Sequence, residues 1–74
     1  MWIYESPVGV LRIIHSSDRY DLYMGNECSN TYSSPGAAAD DVFTQHSGFD
    51  NFDNAEILDI PSCIEEWQYS PDPR

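Results

Sequence analysis

Turns of two to four residues cut the first third of the chain into short runs of strand-forming side chains, and that spacing leaves few folds open. "WIYES" (Trp2–Ser6) is followed by "PVG" (Pro7–Gly9), "VLRIIH" (Val10–His15) by "SSDR" (Ser16–Arg19), "YDLYM" (Tyr20–Met24) by "GN" (Gly25–Asn26), and "ECSNTY" (Glu27–Tyr32) closes the series. A connection this short cannot hold a crossover, so successive strands must lie side by side and antiparallel. Alternation sets Leu11, Ile13 and His15 on one face, with Val10, Arg12 and Ile14 on the other. Tyr20, Leu22 and Met24 share a face in the same way. His15 therefore reads as a hydrogen-bonded core histidine.

The period then changes. In "SSPGAAADDVF", Ser34 suits an N-cap and Pro35 the first helical position. Ala37, Ala38 and Ala39 are the strongest helix formers. Ala38 and Val42, with Ala39 and Phe43 beside them, form a stripe at helical spacing that should pack on the sheet. Asp40, Asp41 and Thr44 should face outward. Gly48, after "QHS", is the expected stop, and His46 lies near the helix end, where the dipole favours a cation.

Beyond Gly48 the signals weaken. "FDNFDNAE" repeats an aromatic, an acid and an amide. "ILDI" (Ile57–Ile60) reads as a short extended segment. Ser62 and Glu65 fit a capping box, which places a short second helix over Ser62–Trp67. "YSPDPR" reads as a frayed tail. The expected fold class is α+β: a three- to four-stranded antiparallel meander packed by one main helix, with a short second helix near the C-terminus. Seventy-four residues make one domain at most. Residues 1–70 are expected to form it, with 71–74 as a flexible tail. Hydrophobic residues are 41% of the chain and ten are aromatic, enough to build a core despite the charge.

That charge is −10 and uneven. No lysine or arginine occurs between Arg19 and Arg74, so residues 1–39 carry −2 and residues 40–74 carry −8. Such a surface repels nucleic acid and anionic lipid and attracts cationic proteins. Direct nucleic-acid binding needs clustered Lys and Arg, which are absent. No apolar run is long enough to span a bilayer, and the N-terminus lacks the pattern of a signal peptide. Cys28 and Cys63 lie 35 positions apart, with neither a CxxC pair nor zinc spacing. The chain reads as a cytoplasmic monomer with two reduced thiols, a single disulfide being the alternative.

No catalytic constellation emerges. Carboxylates are plentiful, but catalysis needs two whose environments differ. Neither cysteine has a supporting histidine pattern. Asp50, Asp53 and Glu56 recur at intervals of three, whereas calcium loops use closer, alternating ligands and a glycine at the sharp turn. Neither a Walker loop nor a dinucleotide fingerprint is present. The expectation is a non-enzyme with no cofactor and no metal. The acids remain as a surface. In a helix, carboxylates at this interval recur roughly every 5 Å, and in a strand roughly every 10 Å. Phosphates along one DNA strand rise by about 3.4 Å per nucleotide, so such a row could enter a channel built for them. Phe49, Phe52 and Trp67 lie among the acids and are candidate aromatic anchors of an interface.

Three blocks, "YESPVGVLRI", "SPGAAADDVF" and "SGFDNFD", resemble a group of small acidic proteins of bacterial and prophage genomes. Their pattern is an aromatic, Thr or Ser, Pro-Val-Gly, a strand, then Ser-Pro-x-Ala-Ala-Ala-Asp-Asp-Val-aromatic and a later Gly-aromatic-acid. It is matched here by Tyr4, Ser6–Gly9, Ser34–Phe43 and Gly48–Asp50. The group brings no catalytic residues with it. The overall profile is also similar to the anti-CRISPR proteins of phages, several of which imitate DNA to block target binding or PAM reading by a CRISPR effector. That likeness implies a partner, the cationic surface of a Cascade-type effector subunit in a bacterial host cell. It also implies that Asp40, Asp41, Asp50, Asp53, Glu56, Asp59, Glu65 and Glu66 stand in for phosphates. The alternative is a non-enzymatic acidic module, an adaptor or regulator partner, that does not compete with DNA.

Overall fold

Period-two alternation and two-residue turns build the sheet. The computed structural model describes residues 1–71. Strands β1 (Trp2–Ser6), β2 (Gly9–Ser16), β3 (Arg19–Met24) and β4 (Glu27–Tyr32) run as an antiparallel meander. The turns are Pro7–Val8, Ser17–Asp18 and Gly25–Asn26, and each joins strands already in register. Ser17 and Gly25, first in their turns, have positive φ, the hand that matches strand twist. At the first turn Pro7 cannot take positive φ. Gly9 does instead, at +152°, and the Ser6 hydroxyl donates to the Gly9 carbonyl at 2.5 Å.

A fifth strand extends the meander. β5 (Gln68–Tyr69) pairs with the free edge of β1, giving the order β4-β3-β2-β1-β5. The Ser70 N–H donates to the Met1 carbonyl at 2.7 Å, and the Met1 amine donates to the Ser70 carbonyl. Tyr69 and Ser70 are therefore held by the sheet, contrary to the expected frayed "YSPDPR" tail. Of the expected tail at 71–74, residues 72–74 lie outside the described residues.

One face of the sheet is the core. Leu11, Ile13 and Leu22 are buried there, together with Ala38, Ala39 and Val42 of α1 (Pro35–Phe43). α1 starts as its sequence requires: the Ser34 hydroxyl accepts from the Ala37 N–H at 3.1 Å, with Pro35 in the first turn. It lies against β3 and β4. Two side chains depart from the expected pattern. Phe43, the last residue of α1, is 46% exposed, while Val42 beside it is buried. His15 is exposed and stacks on Tyr20 at 4.5 Å between ring centroids, so it is not the buried, hydrogen-bonded histidine expected: alternation fixes the face a strand residue takes, not its burial.

The helix also stops earlier than Gly48 predicts. Thr44 is the C-cap and Gln45 takes the left-handed position, φ +57°. The Gln45 N–H donates to the Val42 carbonyl and the His46 N–H to the Asp41 carbonyl, the two bonds of a Schellman ending. Glutamine is unusual there, and its side chain has a second task. Nε2 donates to the carbonyls of Phe52 at 3.0 Å and Ala55 at 2.6 Å. These belong to the end of α2 (Asp50–Asp53), a single turn absent from the sequence expectation. Gly48 has a different job: at φ +94° it passes so close to β4 that a Cβ would sit 3.0 Å from the Ser29 Cβ. The chain meets β4 at its bulge, where Leu22 pairs with Asn30 and Tyr23 with Cys28.

No strand forms over Ile57–Ile60. The short C-terminal helix is a 3₁₀ turn, Ile64–Glu66, with Cys63 as its cap residue. Glu66, rather than Glu65, reaches back, accepting from the Ser62 N–H at 2.9 Å. The architecture is α+β, a five-stranded antiparallel sheet with one main helix and short helical turns over the same face.

Candidate functional site

The acids that the sequence groups together separate into two kinds once folded. Three of the eight hold the protein together. Asp53 turns inward and accepts three hydrogen bonds: from the Ser47 hydroxyl at 2.7 Å, the Ser47 N–H at 2.9 Å and the Gly48 N–H at 3.0 Å. Ser47 is fully buried, so this carboxylate satisfies donors that water does not reach. Asp41 accepts from the Tyr32 hydroxyl at 2.9 Å, joining α1 to β4. Burial, and then the Asp41 carboxylate beside it, push the Tyr32 phenol up to about 12. Glu66 caps the approach to the 3₁₀ turn, as described.

The other five, Asp40, Asp50, Glu56, Asp59 and Glu65, are exposed, and among the described residues none forms a side-chain hydrogen bond. Asp50 and Asp53 share a helical turn, but Asp53 is bound to Ser47 and Gly48 while Asp50 is exposed, and residues 56–60 are neither helix nor strand.

The candidate anchors Phe49, Phe52 and Trp67 are core residues, 8%, 0% and 5% exposed. A small sheet with a single main helix leaves much of its apolar face uncovered, and these rings close it. Phe52 meets Tyr4 edge to face at 6.3 Å and Trp67 meets Tyr4 at 5.6 Å between centroids. No spacing signal in the sequence separates a ring that covers the sheet from one that faces a partner.

An exposed apolar residue lies elsewhere, between Glu56 and Asp59. Leu58 is 95% exposed. It borders a cleft of about 390 Å³ lined by Tyr4, Glu5, Pro7, Glu56, Ile57, Leu58 and Asp59. Glu5 and Pro7 come from the first hairpin, some fifty positions away in sequence, which is why no local pattern reveals the site. Burial, with the Asp59 carboxylate adding to it, raises the Tyr4 phenol above its ordinary value. A larger groove of about 650 Å³, lined by Gly9, Val10, Arg12, Met24, Gly25, Glu27 and Asn51, carries mixed charge, and its Arg12 already donates to the Gly25 carbonyl at 2.6 Å.

The remaining candidates are placed as follows. His46 is exposed, with Nδ1 3.2 Å from the Thr44 hydroxyl. Cys28 and Cys63 are exposed free thiols. Burial first, and then Asp21, push the Cys28 thiol upward, which disfavours the nucleophilic thiolate. Among the described residues no three His, Cys, Asp or Glu side chains are grouped as a metal ion would need, and no helix is long and apolar enough to cross a membrane. Set against protein-family models, curated proteins and solved structures, the chain matches none.

Proposed function

We propose that this chain is a non-enzymatic acidic inhibitor that occupies the cationic surface of a nucleic-acid-binding protein, of the kind anti-CRISPR proteins block on a Cascade-type CRISPR effector. The observation that supports it most is the set of five exposed carboxylates, Asp40, Asp50, Glu56, Asp59 and Glu65, with no side-chain hydrogen bond among the described residues and no lysine or arginine within their half of the chain before Arg74. A small domain is destabilised by such self-repulsion, so a surface that keeps it is consistent with a partner of opposite charge. Charge of this sort speeds encounter and selects partners. The bacterial cytoplasm is where such an effector works.

The test is displacement of labelled duplex DNA from a purified effector complex. The protein should displace it, and displacement should weaken steeply as salt rises from 50 to 300 mM, on the order of tenfold or more. Failure to displace DNA at low salt removes the reading.

One observation favours the second reading, an acidic adaptor or regulator partner that does not compete with DNA. Leu58 is an exposed apolar residue between acids, which suits a protein surface better than a phosphate channel. Binding to a partner protein that leaves its bound DNA in place would decide for it.

A further inference from the structure

The cleft between the first hairpin and the Glu56–Asp59 loop has two properties at once. Its charged side chains are all carboxylates: Glu5, Glu56 and Asp59. The rest of its lining is apolar or aromatic: Tyr4, Pro7, Ile57 and Leu58. Leu58 stands almost wholly in solvent at its rim. A ligand that fits must bring a positive head and a length of apolar stem.

We infer that this cleft receives an arginine side chain of the partner protein, its stem along Ile57, Leu58 and Pro7 and its guanidinium among Glu5, Glu56 and Asp59. The inference rests on the acidic-surface reading above and names where on that surface the partner is gripped. Arginine suits the site for stated reasons. Its stem covers apolar surface while its head stays charged. Its planar fork meets carboxylates from several directions. A metal ion is the poorer occupant, since these carboxylates are not grouped as a metal needs. A second copy of the chain is disfavoured, because two molecules of charge −10 would bring carboxylate to carboxylate. Phosphate, nucleic acid and carboxylate ligands meet the same repulsion.

The probe is a short peptide with a central Arg-Leu-Arg, compared with the same peptide carrying citrulline, which keeps the shape and removes the charge. Binding to the ¹⁵N-labelled chain is followed by NMR. The amides of Glu5 and of residues 56–59 should shift, and citrulline should abolish the shifts. The double substitution Glu56→Gln, Asp59→Asn should weaken binding about tenfold or more, and Leu58→Ala about threefold or more. The pair Asp40→Asn, Glu65→Gln, which lies outside the cleft, should change it less than about twofold. All these residues are exposed, so the variants should keep the wild-type amide spectrum elsewhere. The inference is overturned if the arginine peptide fails to bind, if its shifts spread evenly over every exposed acid, or if the Glu56→Gln, Asp59→Asn variant binds as tightly as the wild type. Any of these outcomes alongside intact DNA displacement would overturn the cleft alone. Loss of DNA displacement in the wild type would instead remove the inhibitor reading, whatever the peptide does.

Discussion

At the scale of single residues, carboxylates of the same type in the same stretch do opposite work. Asp53 gathers the buried Ser47 and the Gly48 amide, while Asp50, three positions earlier, points into solvent. Replacing Asp53 by Ala strands the hydroxyl and amide of the buried Ser47, and should lower stability by about 2–3 kcal/mol in urea unfolding. The same change at Asp50 should cost little. Tyr32 gives a second residue-level check. Its phenol titrates near 12 when folded and near 10 when unfolded, so the folded state holds the extra proton between those values. The stability this contributes is fully present below about pH 10 and is lost as pH rises toward 12. Spectrophotometric titration should find Tyr32 ionising late, with Tyr4 also raised above its ordinary value, and Asp41→Asn should bring the Tyr32 ionisation down. An unchanged titration curve would show that the Tyr32–Asp41 bond does not persist in solution.

At the scale of elements, what could be read from the sequence is what local chemistry decides. β1 to β4 follow from alternation and two-residue turns, and α1 from Ser34, Pro35 and the alanines, all within a few positions of one another. Ser34→Ala should therefore cost about 1 kcal/mol, measured by thermal unfolding, because it removes the acceptor for the Ala37 N–H. What could not be read is decided at long range. α2 is one turn of poor helix formers, Asp-Asn-Phe-Asp, held by Phe52 in the core and by the Gln45 side chain on its last carbonyls. β5 is two residues that pair with a strand at the other end of the chain. Strand alternation tells which face His15 takes but not whether that face is covered at its position, and His15 is exposed.

At the scale of the whole molecule, the charge is carried on one side of a division of labour. The small core needs Phe49, Phe52 and Trp67, so the aromatics near the acids were claimed by folding before any partner could use them. Three acids were claimed likewise. The cleft that Glu5 and Leu58 join to the remaining acids exists only once residues fifty apart are brought together, and no spacing in the sequence announces it. The central claim is that Asp40, Asp50, Glu56, Asp59 and Glu65 serve a partner and not the fold. The most direct measurement is on one variant with all five changed to Asn or Gln, read by thermal midpoint and by displacement of duplex DNA from the effector. The midpoint should stay or rise as repulsion is relieved. Displacement should weaken on the order of 100-fold, from five rim charges at roughly 0.5 kcal/mol each. A variant that displaces DNA as well as the wild type, or that unfolds, would contradict the claim.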